Sequence, residues 1–525
     1  MTVTTLHDLV ARTARRHPTA TALVVAGEPA LTYAQLTDAA AATARTLVEA
    51  AGTGEAFPAR VGLTGHKTTV TYAAYLALLS LGAAVVPIST AAPTARVSAI
   101  CEAAGLSLLV DTTGAAAPAP LAGAPNAPAV IAIGASPTPS APVPVRAAPA
   151  RREQSAATAH GAGPVAYVIF TSGTTGRPKG VPITHANALA CVHHNIDAYG
   201  MGVGDRLTQT FDFAFDPSVF DMFVAWGSGA TLVAPAPNDL LHPVAWVRRE
   251  AITHWFSVPS TIATAVKLGE LADASMPTLK VSMFGGEPLT ADHALAWHRA
   301  APQSRLENLY GPTECTVSVS SHSLAADPRH WPRTDNGTLP IGRVYDHLEC
   351  VVVADGREAE QGELCVRGPQ RFAGYLDPRD DAGRFLVREG DAYRPLADGA
   401  PPTAEAWYRT GDRVALTPDG DLVHLGRLDS QVKIRGFRIE LAEVEGALRL
   451  AEPVQDAVVV AAPGRAGHLE LTGFYTGDAV DPRTLRTALA ASLPSYMVPR
   501  RIIHLDAFPL TTNGKVDRTR LLHHT

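Results

Sequence analysis

Cysteine is scarce in this chain: five residues in 525, at positions 101, 191, 315, 350 and 365, with no CxxC pair. An odd, scattered set argues against a disulfide framework and against a zinc site, so a reducing cytoplasm is the expected location. Excess positive charge is missing as well. The formal net charge is −6 and no Lys/Arg cluster stands out, which removes the footprint of a nucleic-acid binder. No apolar stretch reaches membrane-spanning length, and residues 1–25 lack the apolar centre of a signal peptide. Leu6, Leu9, Val10 and Thr13 are instead spaced for one face of an amphipathic helix. Hydrophobic residues, by contrast, make up 46% of the chain. At this length that is enough for more than one core, which favours a large enzyme of two or more domains over a small binding module.

Apolar runs of strand length alternate with helical patterns. Residues 60–65, a helix around 72–81 and residues 84–88 read as a βαβ unit and hence a parallel sheet. Further strands are expected at 206–210, 230–234, 254–258, 279–284 and 305–309. Between 111 and 164 Ala, Pro and Gly dominate around one short strand at 129–133, a composition also seen in interdomain linkers. From 429 onwards a hairpin-like Val432-Lys433-Ile434-Arg435-Gly436-Phe437-Arg438-Ile439-Glu440, a helix over 441–450, strands near Ala457 and Leu469, and a helix over 482–493 describe a small α+β unit.

The run Thr171-Ser172-Gly173-Thr174-Thr175-Gly176-Arg177-Pro178-Lys179-Gly180 follows strand-like residues 165–170 and leads towards a helix. Its three glycines let backbone N–H groups approach an anion, its hydroxyl pairs can donate to oxygens, and Lys179 brings positive charge to where a polyphosphate would lie. Alone it could be a Ser/Thr/Gly turn. It is not the GxxxxGK[ST] loop, because Lys179 lies beyond an Arg-Pro step and precedes glycine. Four more strings follow: Asn308-Leu309-Tyr310-Gly311-Pro312-Thr313-Glu314, Tyr408-Arg409-Thr410-Gly411-Asp412, Gly426-Arg427-Leu428-Asp429-Ser430-Gln431-Val432-Lys433-Ile434-Arg435-Gly436, and Asn513-Gly514-Lys515-Val516-Asp517-Arg518. The Gly-Pro turn of the first would present side chains at a strand's carboxyl end, where open α/β sheets place ligands.

In this order, across nearly the whole chain, these strings resemble the adenylate-forming superfamily of acyl-CoA synthetases, luciferases and adenylation domains of nonribosomal peptide synthesis. Phe211-Asp212-Phe213-Ala214-Phe215-Asp216-Pro217-Ser218-Val219-Phe220-Asp221-Met222-Phe223 is similar to the specificity motif of amino-acid adenylation domains. It narrows the resemblance to stand-alone domains of the carrier-protein ligase type. The resemblance implies an α/β fold: a large N-terminal adenylation core, 1–428, of α/β subdomains plus a small β-barrel-like subdomain, then a small mobile α+β lid, 429–525. It also turns the Ala/Pro/Gly-rich stretch into surface loops rather than a tether. ATP and Mg²⁺ are the implied cofactors. Thr171, Ser172, Gly173, Thr174, Thr175 and Lys179 would cradle phosphates, and Thr313 would touch the adenylate phosphate. Tyr310 would stack on adenine, Asn308 would meet its amino edge, Asp412 would accept from the ribose hydroxyls, and Arg427 would reach the nucleotide. Glu314 would hold Mg²⁺, a hard cation suited to carboxylate oxygens. Asp429 would be the hinge and Lys515 the catalytic lysine, bridging substrate carboxylate and phosphate oxygens.

By the same resemblance Asp216 pairs with the ammonium group of an amino acid. Two unit charges about 4 Å apart at an effective dielectric near 20 attract by roughly 4 kcal/mol before desolvation, enough to reject an acid lacking the amine. The residues themselves leave a second role open, since Asp216-Pro217-Ser218 is also a good helix start with Asp216 as N-cap. Carried over, the pocket lining is Asp216, Pro217, Phe220, Ser257, Met283, Gly285, Leu309, Val317 and Ser318, with Lys515 at the carboxylate end. A lining without further charge implies a neutral substrate side chain. Phe220 and Leu309 limit its volume and Gly285 opens one wall, which points to proline, alanine, another small-to-medium aliphatic residue or a β-amino acid. Cys315, beside Glu314, reads as packing rather than nucleophile. The implied reaction forms aminoacyl-AMP and pyrophosphate, then passes the aminoacyl group to a phosphopantetheine thiol, in natural-product biosynthesis. With Thr525 closing the chain, a separate carrier protein is the expected partner, and the resemblance leaves room for a small activator protein. Two readings compete. An acyl-CoA synthetase for a small carboxylic acid has no use for Asp216, and a non-enzymatic partner of a synthetase has no use for Lys515, Glu314 and Asp412 together.

Overall fold

The computed structural model describes residues 3–52, 56–114, 127–134, 163–172, 177–428, 431–464, 469–509 and 516–523. The expected βαβ unit is present: Arg60–Thr64 and Ala84–Ile88 pair in parallel across the helix Thr69–Ser80. That helix buries every residue from Thr71 to Leu79, so it carries no polar stripe and lies between layers. Its sheet has six strands, in spatial order Ala129–Ala132, Leu108–Asp111, Arg60–Thr64, Ala84–Ile88, Val165–Thr171 and Lys179–Thr184. A second sheet of nine strands has a parallel centre, running Arg305–Tyr310, Val281–Gly285, His254–Ser257, Arg206–Thr208, Thr231–Ala234 and Thr21–Val25, with antiparallel strands at both edges. The N-terminal helix Leu6–Arg16, closed by a Thr5/Asp8 capping box, buries Leu6, Leu9, Val10 and Thr13 as their spacing predicted.

One expectation fails at the Gly-rich run. The strand Val165–Thr171 returns not as a helix but as an antiparallel strand, Lys179–Thr184, with Thr171 opposite Lys179. The helix His185–Tyr199 begins only after it, where Thr184 and Asn187 form a capping box. Among the described residues, then, no helix begins directly after the run to lend it a dipole.

The barrel-like subdomain is a seven-stranded antiparallel sheet between Glu349–Ala354 and Leu422–Arg427. Beyond it lie the hairpin Gln431–Ile434/Phe437–Glu440, the helix Leu441–Arg449, a sheet of Val454–Pro463, Leu469–Gly477 and Arg501–His504, and the helix Pro482–Ser492. This α+β unit has its own core, built on Ile439, Val444, Leu448, Val459 and Leu485. No helix among the described residues is long and apolar enough to cross a membrane.

Candidate active site

The carboxyl ends of both parallel sheets open onto one cleft, the position open α/β sheets reserve for ligands. Thr171 and Ser172 line it from the six-stranded sheet; Phe211, Asp216, Phe256, Gly285, Leu309 and Thr313 line it from the nine-stranded one; Lys433 and Arg438 close it from the hairpin.

Asp216 occupies the N-cap position of the helix Pro217–Ser228, yet with helical backbone angles (φ −60°, ψ −27°) its side chain makes no capping bond. The capping role thus drops out. Its buried carboxylate accepts instead from the Thr313 hydroxyl at 3.2 Å and from the Val317 N–H at 3.1 Å. Burial, reinforced by nearby Glu314, lifts its pKa to about 6 against the pull of these donors and of Lys433. Of the other anticipated lining residues, Pro217, Gly285, Leu309, Val317 and Ser318 reach the cleft. Gly285 allows close strand approach, since a Cβ there would lie 3.0 Å from the Leu309 carbonyl oxygen.

Phe220, Ser257 and Met283 are not among the residues that line the cleft in this arrangement. In His254–Ser257 side chains alternate, so Phe256 and then Val258 face the cleft, while Ser257 turns to the other side and accepts from Trp255 Nε1 at 2.9 Å. Phe220 packs against Phe256 with ring centroids 4.9 Å apart, and Met283, the strand partner of Phe256, is fully buried beside it.

The residues anticipated to hold the nucleotide bind one another. Asp412 accepts from the Tyr310 hydroxyl at 2.6 Å, and pairs with His424 Nε2 at 3.0 Å and Arg427 Nη1 at 3.1 Å. Burial opposes its ionisation, but His424 and Arg427 hold it well below the usual carboxylate range. The Asn308 amide donates to the Leu339 and Pro340 carbonyls rather than into the cleft. Glu314 is fully buried; the Arg438 guanidinium donates to both its oxygens, at 3.0 and 2.8 Å, and the Tyr375 hydroxyl adds a bond of 2.6 Å. Burial alone would raise its pKa, yet Arg438 and Tyr375 bring it down to about 2. Lys179 is buried against Asp380 at 3.1 Å, outside the cleft wall. Gly173, Thr174, Thr175, Asp429 and Lys515 lie outside the described residues. Val516, next to Lys515, packs on Val458, Val460 and Phe474 of the C-terminal sheet.

The hairpin's hold on the site went unread in the sequence. Ser172 Oγ donates to the Arg438 carbonyl at 2.8 Å and accepts from the Glu440 N–H at 3.1 Å, while Lys433 Nζ stands 5.9 Å from the centre of the Tyr310 ring. The signal was there: Gln431, Lys433, Arg438 and Glu440 alternate with Val432, Ile434, Phe437 and Ile439, and the polar four pair across the strands, as one polar face requires.

The AMP-binding enzyme family model matches residues 10–376, and the AMP-binding enzyme C-terminal domain matches 443–515. The chain belongs to the AMP-binding enzyme family. Surfactin synthase subunit 1 of Bacillus subtilis (strain 168) is 33% identical over 526 residues, which is 98% of this chain and only 13% of that protein's length. The L-proline–[L-prolyl-carrier protein] ligase of Pseudomonas fluorescens is 35% identical over 368 residues, 68% of each. The crystal structure of IdnL7 is 35% identical, covers 99% of this chain and 98% of its own, and superposes with a TM-score of 0.64.

An AMP-binding enzyme consumes ATP, and Mg²⁺ can be tested against the residues present. No group of three or more His, Cys, Asp or Glu among the described residues could hold a metal. Glu314, ionised and buried, fits a hard cation whose remaining ligands are phosphate oxygens, once Arg438 has moved off it.

Proposed function

We propose that this protein activates a neutral small-to-medium amino acid as aminoacyl-AMP and passes it to the phosphopantetheine thiol of a carrier protein. The buried carboxylate of Asp216 on the cleft wall carries the reading. Phe211, Phe256 and Leu309 are apolar walls around it, which favours a side chain without charge. The ligase relative supports both an amino-acid substrate and a carrier protein, since its name states both for that protein.

In the first step a substrate carboxylate oxygen bonds to the α-phosphorus of ATP and the bond to pyrophosphate breaks. Asp216 holds the amine, Lys515 bridges carboxylate and phosphate, and the Thr171, Ser172 and Thr313 hydroxyls donate to oxygens that gain charge. Mg²⁺ on Glu314 would neutralise phosphate charge. In the second step the thiol sulfur bonds to the acyl carbon, the thiol proton leaves, and AMP departs. Hinge motion at Asp429 exchanges Lys515 for the hairpin between steps. The arrangement described above, with the hairpin on Ser172 and Glu314, suits the second step.

ATP–pyrophosphate exchange with a panel of proteinogenic and β-amino acids, and with the same acids lacking the amine, tests the proposal. Exchange that requires the amine is the expected result. Equal exchange with simple carboxylic acids would favour an acyl-CoA synthetase, and none with any acid would end the proposal.

A further inference from the structure

Both donors to Asp216 come from one turn, and that turn has an uncommon shape. After the 3-10 segment Thr313–Cys315, Thr316 and Val317 take φ of 61° and 68° in succession. Left-handed backbone is strained for β-branched residues and persists only where the surroundings enforce it. Gly311 supplies room, because a Cβ there would lie 2.6 Å from the Val317 carbonyl oxygen and 2.7 Å from Ser318 Cα.

The grip comes from Gln370, a fully buried residue outside every string recognised in the sequence. The two hydrogens of its Nε2 serve three carbonyls, of Ser318 at 2.8 Å and, sharing, of Cys315 and Thr316, both at 3.2 Å. Its Oε1 faces His347 Nε2 at 2.7 Å, so that ring nitrogen carries the proton and donates. Its own backbone carbonyl accepts from the Thr316 hydroxyl at 2.6 Å. One side chain thus spans the turn, and no other described side chain bonds to these three carbonyls. A right-handed Val317 would swing its N–H away from Asp216.

We propose that Gln370 is a positioning residue for amino-acid recognition, locking the 315–318 turn so that the Thr313 and Val317 donors fix the Asp216 carboxylate at the amine end of the cleft. The inference rests on the reading of Asp216 as the amine-binding group. It places a specificity element about 150 residues from that aspartate in sequence (370 against 216), on the antiparallel side of the cleft.

The test uses the full chain and the amino acid giving fastest exchange with the unaltered protein. Gln370→Leu should raise the KM for that amino acid about tenfold or more, with the KM for ATP held within about twofold. Hydrogen exchange of peptides spanning 311–320 should speed up, a readout that needs no substrate. Thr316→Gly in the Gln370→Leu background should recover part of the amino-acid KM, because glycine adopts positive φ without a clamp. His347→Phe, which leaves the Gln370 side chain and its bonds to the turn carbonyls in the chain, should raise the same KM a few-fold. Equal rises in both KM values, or no rise in either variant, overturns the inference. Asp216→Asn is the control: if it too leaves the amino-acid KM unchanged, the reading of Asp216 has failed, whereas loss with Asp216→Asn alone sinks only the role of Gln370.

Discussion

Asp216 is kept as a buried acid at a cost to the fold, and the cost depends on pH. Its pKa is raised to about 6, so between the unfolded value near 4 and about 6 the folded chain binds more protons, and stability falls as pH rises through that window. Asn keeps one acceptor oxygen for the Val317 N–H, and its amide NH2 can donate to the Thr313 hydroxyl, without the charge. Asp216→Asn should therefore stabilise the ligand-free protein above about pH 6 by on the order of 1–3 kcal/mol, read as a higher melting temperature, while amine-dependent exchange drops about 10²-fold or more. A melting temperature lower than that of the unaltered protein at neutral pH would contradict the buried-charge account. For the same reason the amino-acid KM of the unaltered protein should climb as pH falls below about 6, where the carboxylate takes up a proton. A KM flat across that range would mean that another group binds the amine. Lys515→Ala should lower exchange by about 10²–10³ yet leave transfer from preformed aminoacyl-AMP to thiol intact; equal loss in both steps would refute its assigned role.

At the scale of the element, the hairpin Gln431–Ile434/Phe437–Glu440 works because one of its faces is polar. Lys433 and Arg438 are register partners and both point into the cleft. Arg438→Ala removes the cation from a fully buried carboxylate, a change that costs about 3–5 kcal/mol when one partner of a buried pair is lost. Amides of residues 431–440 should then exchange faster with solvent. If the hairpin leaves the site in the first step, as proposed, the thiol-transfer step should fall while pyrophosphate exchange holds. Unchanged protection of the hairpin would show that Arg438 does not hold it there.

Across the whole molecule, the two units meet at a buried ion pair beside an aromatic cluster. Arg96 Nη1 on the helix Thr94–Ala104 lies 2.7 Å from Glu443 Oε1 on the helix Leu441–Arg449, and both side chains are buried. Phe437 stacks on Tyr496 at 3.9 Å, with the Phe215 ring edge-on to Phe437 at 5.1 Å. Removing one charge of a buried pair leaves the other less compensated, so Arg96→Ala should loosen the arrangement and raise the radius of gyration in X-ray scattering. The swapped pair Arg96→Glu with Glu443→Arg should restore much of it. An unchanged scattering profile for Arg96→Ala would mean that the rings suffice.

Local pattern alone determined much. The βαβ unit, the buried face of the first helix and the strands at 84–88, 254–257 and 305–310 follow from periodicities of two and 3.6, which depend on neighbours in sequence. The motif strings reported the family for the same reason, since each is contiguous in the sequence. Tertiary structure alone decided the rest. It placed the strand Lys179–Thr184 after the Gly-rich run, because pairing with Val165–Thr171 outweighs the local lead into a helix. Alternation in His254–Ser257 put Phe256, not Ser257, on the cleft wall. Contacts between residues far apart in the chain set Arg438 on Glu314 and Gln370 on the turn beside Asp216. Burial and hydrogen bonding at such long range leave no mark on a local pattern, which is why the residues that hold the site were the last to be found.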